Sequence, residues 1–461
     1  MKKTHLYLFL MLIGSFCLSS GCKKFLNVGP STASVNPVAI KDFQEMLNSD
    51  SLGKVQYFLL DAMSDDIQLT DVQTSSTTNY YRRAYFYEAT LWNPNDIDLV
   101  YNSTYSRILQ MNIILSRIAD APEDELNTPQ NRSNIISQAL IHRAYFYLQL
   151  VNAYGKAYDA ATAATDPGVP LVLVPDATAL PSRASVEKVY AQIISDLKTA
   201  LNNPYLPSKG TDVIHPGKAA AFGLLARAYL YRGDYANAGV YADSTLARAN
   251  TLTNYTSGSY TTPGQLQDLT SNPEILMGKL TSEENFYLFY QSAFRMSAGL
   301  KTLLTASDSR YSKRFTSDLY RVSTTPANTY AMDNSISVPE VLLTKAECLA
   351  RAGSFTDAAA ILTRIRGNRI ATTDTRTFTA ANILQYVLDD RRRELFLRGG
   401  LRLFDLKRLN KSTASQITLT RTNVAGTTVL TTVAPGANRY LVPFSANVIA
   451  ANPYITQNPR L

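Results

Sequence analysis

Carboxylates stand close together at Asp65-Asp66, Asp96/Asp98 and Glu283-Glu284. A glycoside hydrolase needs two such groups, one to protonate the leaving oxygen and one to assist from the opposite side. Nearness along the chain does not supply the separation across the bond, so solvated loop carboxylates are the simpler account. Other catalytic patterns are missing. His142 and His215 have no second His, Cys or carboxylate at a metal-ligand spacing. His142 is expected on a helix surface or in the core, and His215, just before Pro216, in a loop. There is no Gly-x-Ser-x-Gly elbow, P-loop or dinucleotide fingerprint. No catalytic residue, metal or cofactor is therefore expected.

A binding site asks for less. Sugars offer flat C–H faces and many hydroxyls, which exposed aromatic rings and amide, Arg or Asp side chains can grip. The densest such constellation is Tyr80-Tyr81-Arg82-Arg83, Tyr85 and Tyr87, followed by Trp92-Asn93-Pro94-Asn95-Asp96. A second is Asn285-Phe286-Tyr287 with Tyr290, and Tyr255 and Tyr260 lie nearby in sequence. The candidate ligand residues are Trp92, Asn95, Tyr81, Arg82, Asn93, Asp96, Tyr287 and Tyr290. Trp92 and Asn95 lead, because Asn-Pro breakers are expected to expose their loop ahead of a helix starting near Leu99. Aromatic rings at helical spacing are more often core, and that account competes at each position.

The elements that must position these residues are helical. From Ile136, apolar Leu140, Ala144, Tyr147, Val151 and Tyr154 recur at steps of three or four, giving one face of a long helix that stops at Gly155. Ser185 reads as the N-cap of a helix running to Leu201. Between the two, the proline-bounded Val169–Pro175 segment is extended. Leu225-Ala226-Arg227-Ala228-Tyr229-Leu230-Tyr231-Arg232-Gly233-Asp234-Tyr235-Ala236-Asn237-Ala238 resembles a tetratricopeptide repeat, in which Gly233 turns the chain and Asp234 caps a second helix. The pattern returns with Gly353 for Gly233, Phe355 for Tyr235 and Ala358 for Ala238. One hairpin cannot bury its own apolar face, so stacked hairpins are implied. The expected fold is mainly α, a tetratricopeptide-like scaffold with hairpins near 219–250 and 338–368, a loop-rich insertion near 251–337 and minor β structure.

At the start of the chain, basic Met1-Lys2-Lys3 precedes an apolar run from Leu6 to Leu18 and then Ser19-Ser20-Gly21-Cys22. This layout predicts a lipoprotein signal over residues 1–21, cleavage before Cys22, and acylation of Cys22 to hold residues 22–461 to a membrane as a single domain. Cys17 leaves with the signal and Cys348 is then alone, so no internal disulfide is expected. The net charge of +8 falls to +6 without Lys2 and Lys3, and the surplus is dispersed, which argues against nucleic acid. Twenty-eight tyrosines against one tryptophan suit helix packing and carbohydrate stacking alike.

The chain resembles the SusD/RagB family of starch-utilisation-system-like outer-membrane lipoproteins, nearly end to end. The likeness rests on Phe25-Leu26-Asn27 with Pro30, on Asp308-Ser309-Arg310, and on Arg391-Arg392-Arg393-Glu394-Leu395 with Arg402-Leu403-Phe404-Asp405-Leu406-Lys407-Arg408. It closes on Asn452-Pro453 and Gln457-Asn458-Pro459. Arg398-Gly399-Gly400-Leu401-Arg402 stands where the family commonly has Glu-Gly-His-Arg, and Val442-Pro443-Phe444 replaces Pro-Ile-Pro. Lys23-Lys24 stands where surface-delivered relatives often carry acidic residues. The resemblance implies a non-enzymatic, surface-facing lipoprotein of the outer membrane that binds oligosaccharide and hands it to a SusC-like TonB-dependent transporter. It also places the glycan surface in loops of roughly the two aromatic regions. In the C-terminal block, Asp389, Glu394, Asp405 and the nearby arginines are expected to form a structural charge network closing the last helices. Two other readings compete: an extracytoplasmic glycoside hydrolase using Asp65 or Glu283, and a helical-repeat adaptor that binds a peptide or protein in its concave groove, using the hairpins around Tyr229 and Phe355.

Overall fold

The computed structural model describes residues 37–70, 80–122, 124–176, 178–257, 269–281, 294–316, 319–320, 333–372 and 376–460. The signal segment, Cys22, Tyr260, Glu283, Glu284, Asn285, Phe286, Tyr287 and Tyr290 lie outside them. In chain order the helices are α1 (Ile40–Asn48), α2 (Phe58–Ala62), α3 (Tyr80–Tyr85), α4 (Leu99–Arg117), α5 (Pro129–Tyr154), α6 (Val186–Leu201), α7 (Lys218–Arg232) and α8 (Tyr235–Leu246). After the insertion's α9 (Ala298–Leu303) and α10 (Ser309–Arg314) come α11 (Val338–Arg351), α12 (Phe355–Gly367), α13 (Ile383–Leu395), α14 (Leu401–Leu409) and α15 (Ala446–Ala451).

Helix α5 begins at a Thr128 cap, whose hydroxyl accepts the Asn131 N–H at 3.1 Å, with Pro129 in the first turn. From Ser137 to Tyr154 every side chain is buried. The sequence pattern marked one apolar face, but α5 is the central rod of the bundle, packed by α1, α4, α6 and α7, so its polar side chains are buried as well. Helix α6 starts where Ser185 was expected to cap it, the hydroxyl accepting Lys188 N–H at 3.3 Å.

The two hairpins, α7–α8 and α11–α12, turn at Gly233 (φ +76°) and Gly353 (φ +84°), left-handed conformations that favour glycine. Asp234 caps α8 through the Asn237 N–H at 3.1 Å. The hairpins stack: α8 lies on α11, with Leu230, Ala238 and Cys348 forming a small apolar cluster between them. Arg227 of α7 holds both oxygens of Glu340 of α11 at 2.5 Å. Cys348 is core, and burial pushes its thiol up to about 12.

Strands are short, as expected for minor β structure. In the insertion, β2 (Ile275–Met277) pairs antiparallel with β6 (Ile336–Ser337), where the chain returns to the scaffold. A mixed-origin antiparallel sheet runs in the order β1 (Ile67–Leu69), β3 (Phe294–Met296), β5 (Leu319–Tyr320), β4 (Phe315–Thr316). Leu69 pairs with Phe294, and Leu319 pairs with Arg295, so Leu69, Phe294 and Tyr320 end on the same edge. Among the described residues no helix is long and apolar enough to cross a membrane.

Tyrosine abundance has a structural reason. Packing hides the rings of Tyr147 and Tyr154 and part of that of Tyr105, while the hydroxyls of Tyr105, Tyr147 and Tyr154 donate in turn to Pro170 O at 2.6 Å, Val172 O at 2.5 Å and the Asp98 carboxylate at 2.8 Å. A buried phenol with a satisfied hydroxyl fills a helix interface without an unmet polar group.

Candidate functional site

The region that best fits a hydroxyl-rich ligand is the loop between α3 and α4. Arg83 anchors it, donating from Nε to Leu91 O at 2.7 Å and pairing through Nη2 with Asp96. Asp96 in turn accepts the Asn93 N–H at 2.7 Å and closes a tight turn. The turn pushes Asn93, Pro94 and Asn95 into solvent, so two amides, each both donor and acceptor, project from a pinned backbone. Half-buried Tyr80 borders the loop, its ring 5.4 Å from that of Trp92. Arg82, partly exposed, pairs with Glu88 and lies 4.8 Å over the Phe86 ring.

Trp92 differs from expectation. Only 9% exposed, it belongs to the core, and its indole N–H donates to Pro443 O at 2.6 Å. The Asn-Pro breakers expose the residues after it, while the C-terminal tail covers the indole itself. Tyr81 is also a core residue at 1% exposure, edge-on to Phe58 at 5.1 Å, so its ring cannot stack on a ligand here. Tyr85 and Tyr87 are buried too; Arg421 lies 3.9 Å over Tyr85, and the Tyr87 hydroxyl donates to Met63 O. Asn93, Asn95 and Asp96 remain together on the loop, while Arg82 lies on α3 and pairs with Glu88. Tyr80 is the ring the site keeps at its border, and period alone did not separate it from its buried neighbours.

The paired carboxylates have other work. Arg402 binds both oxygens of Asp65, at 2.6 and 2.8 Å, and Arg392 Nε binds Asp66 at 2.6 Å. Against the penalty of burial, Arg402 and Arg392 hold Asp65 well below the carboxylate range, while burial pushes Asp66 up. Asp98 is a helix cap, accepting the Tyr101 N–H at 3.0 Å and the Tyr154 hydroxyl; burial raises its carboxyl to about 7. Neither pair presents two carboxylates to a shared open space. Among the described residues no three His, Cys, Asp or Glu side chains are grouped to hold a metal ion.

His142 is a core residue, its Nε2 2.9 Å from Ile214 O and its Nδ1 accepting from buried Lys279 at 3.1 Å. Those partners put the ring proton on Nε2. Burial and the neighbouring Lys279 push its pKa well below the usual value. His215 sits in a loop beside Asp212, 2.6 Å away.

The C-terminal block is a buried charge lattice. Glu394 pairs with Arg310 at 3.0 Å and Arg369 at 3.1 Å, while Asp390 pairs with Arg366 and Arg393, each at 3.1 Å. Asp390, rather than the expected Asp389, is the aspartate inside the lattice; Asp389 accepts from Gln385 on the surface. Asp405 bridges Arg391 and Arg408, each at 2.8 Å. The Gly399 and Gly400 N–H groups donate to the Asp61 carboxylate at 3.0 and 2.8 Å, and a Cβ on Gly400 would lie 2.5 Å from that of Leu60. At the chain's end, Asn458 donates to Tyr154 O at 2.7 Å and Val442 O at 2.8 Å, binding the tail to the foot of α5.

Comparison with known proteins places this arrangement. Residues 24–230 match a family described as starch-binding and associating with the outer membrane, and residues 306–460 match the SusD family. No curated protein matches. Among solved structures, a SusD superfamily protein from Bacteroides thetaiotaomicron is 23% identical with a TM-score of 0.72, covering 92% of this chain and 100% of that one. A putative sugar-binding protein from Bacteroides vulgatus is 20% identical, with a TM-score of 0.68 over 92% of this chain and 99% of its own. Surface glycan-binding protein A from Bacteroides uniformis is 17% identical, with a TM-score of 0.68 over 91% of this chain and 100% of its own. With the charged block, the glycine turn and the tail lock each carried by the matched segments, the chain belongs to the SusD/RagB family.

Proposed function

We propose that this protein is a lipid-anchored outer-membrane protein that binds oligosaccharide and passes it to a SusC-like TonB-dependent transporter, without cleaving it. The observation that carries the binding role is the pinned loop, on which Arg83 and Asp96 fix the backbone while the Asn93 and Asn95 amides face solvent. Fixed amides bind hydroxyls without first losing conformational freedom. Tyr287 and Tyr290, which lie outside the described residues, are the further rings we propose for ligand contact. Family membership supports the membrane location, and the residue 1–21 layout with Cys22 supports acylation as the means of anchoring.

Hydrolysis by Asp65 is disfavoured because its carboxylate is committed to Arg402 and Arg392. A glycan panel tests the proposal directly. Protein lacking residues 1–21 should retain particular polysaccharides and release no new reducing ends. The double variant Asn93→Ala/Asn95→Ala should bind about 10-fold more weakly with an unchanged melting temperature. A blank panel with retained peptides would favour the adaptor reading, and turnover would favour the hydrolase. Co-purification with a TonB-dependent barrel, and loss of palmitate labelling in Cys22→Ser, test the partner and the anchor separately.

A further inference from the structure

A cavity of about 240 Å³ lies beneath the foot of α5, between the 156–166 loop, the end of α14 and the 436–441 turn. Its volume is several times the roughly 30 Å³ that one liquid water occupies. Lys407 lies in its lining, 7% exposed, and its ammonium donates to the Asn152 and Gly155 carbonyls, leaving one N–H of three uncommitted. Among the described residues no carboxylate pairs with it. Asn410, 4% exposed, has its Oδ1 held by the Ile417 N–H at 2.8 Å, which leaves its amide nitrogen facing the Tyr440 hydroxyl. Neither the Asn410 nitrogen nor the Tyr440 oxygen, both buried, completes a hydrogen bond of ordinary geometry.

The acids of the same cavity are already engaged. Asp166 accepts from Lys156 at 2.8 Å and Thr162 at 2.6 Å, and Asp159 accepts from Lys411 at 2.9 Å and the Ala161 N–H at 3.1 Å. What remains open is a set of donors: the third Lys407 N–H, the Asn410 amide and the Tyr440 hydroxyl. Buried donors without acceptors are costly, and a ligand that supplies acceptors recovers that energy. With three lysines against two aspartates, the lining also carries a surplus positive charge.

We propose that this cavity is a second ligand site, separate from the Asn93–Asn95 loop, which takes the carboxylate of an acidic monosaccharide of the hexuronic acid class. Lys407 would face the carboxylate, with Asn410 and Tyr440 donating to it or to an adjacent ring oxygen. Burial pushes Lys407 down to about 7. Lys156, Lys411, Asp159, Asp166 and Tyr440 are the other titratable groups around the cavity, and burial raises Tyr440 to about 12. Losing the Lys407 charge therefore weakens carboxylate binding between pH 6 and 8.5.

The test is calorimetric titration of the chain lacking residues 1–21 with glucuronate, and with glucose as the neutral counterpart. Glucuronate should bind at least 10-fold more tightly than glucose, and more tightly at pH 6 than at pH 8.5. Lys407→Met should abolish binding, but it also removes the group that ties off α5 and could unfold the protein. Tyr440→Phe removes one hydroxyl and keeps the ring, and it should weaken glucuronate about 5-fold with an unchanged melting temperature. Equal binding of glucose, or no saturable binding at all, would overturn the proposal and leave the cavity to water. Acetate competing as well as glucuronate would reduce it to an ion site and overturn the sugar assignment. Loss of glucuronate binding in Asn93→Ala/Asn95→Ala would move the ligand to the loop and equally refute a second site.

Discussion

Arginine–carboxylate pairs serve two regions of this molecule in different ways. In the C-terminal lattice, Arg310, Arg369, Asp390 and Glu394 are all fully buried, and each guanidinium meets more than one carboxylate. In the α3–α4 loop, Arg83 is buried but Asp96 is 20% exposed, and the pair shapes a turn whose neighbouring amides face water. The same chemistry thus locks elements together in one place and presents a surface in the other. Burial decides between the two roles, because an unpaired charge is penalised heavily in the interior and lightly at the surface.

Removing one member of the lattice should have the largest effect. Glu394→Gln takes one negative charge out of the lattice, leaving Arg310 with Asp308 and Asp390 and Arg369 with Glu274, and should lower unfolding free energy by about 3 kcal/mol in urea denaturation. Against burial, Arg369 and Arg310 hold Glu394 far below the usual glutamate range. A depressed carboxylate stabilises the fold above its unfolded pKa and loses that contribution as pH falls, so the gap between wild type and Glu394→Gln should narrow in acid. A gap independent of pH would mean that Glu394 acts through packing alone.

Asp98 sharpens the comparison, because it is buried with no guanidinium. Burial raises its pKa from 3.8 to about 7, so the folded state binds the proton more tightly than the unfolded chain does. Stability from this group is therefore full below the unfolded value and falls as pH rises through the interval between the two. Asp98→Asn keeps an N-cap acceptor and removes the charge. Measured by thermal melts from pH 4 to pH 8, the variant should gain on wild type across that window, by at most about 4 kcal/mol. A parallel pair of curves would show that Asp98 ionises as easily as an exposed carboxylate.

How far such roles were legible in the sequence follows the distance between partners. Ser185, Gly233, Asp234 and Gly353 act on backbone within a few residues, and each does in the structure what its type and place predicted. Trp92 was legible as an aromatic in a loop but not as a buried one, because the carbonyl that receives its indole belongs to Pro443, 351 positions later. The Asp65-Asp66 pair was visible as two acids, while the arginines that occupy it come from α13 and α14. Tyr81 and Tyr80 share one constellation, and packing such as that of Phe58 on the former, from another stretch of the chain, separates core from border. The cavity at Lys407 lay inside a recognised motif, yet nothing local marked it as a cavity, since its walls come from three distant stretches.

The smallest expected effect on stability, and the most informative about the loop, comes from Asp96→Asn. The substitution removes the charge that Arg83 meets while keeping an oxygen to accept the Asn93 N–H. Because Asp96 is partly exposed, water can replace some of the lost interaction, and the stability loss should be about 1 kcal/mol or less. Glycan affinity should fall more than that suggests, by about 5-fold, because a loosened turn lets Asn93 and Asn95 sample orientations that no longer converge on the ligand. Titration of the retained polysaccharide, beside a urea melt of the same variant, separates the two quantities. If affinity and stability fell together by the same free energy, Arg83 and Asp96 would be acting only as another piece of core, and the contrast with the buried lattice would disappear.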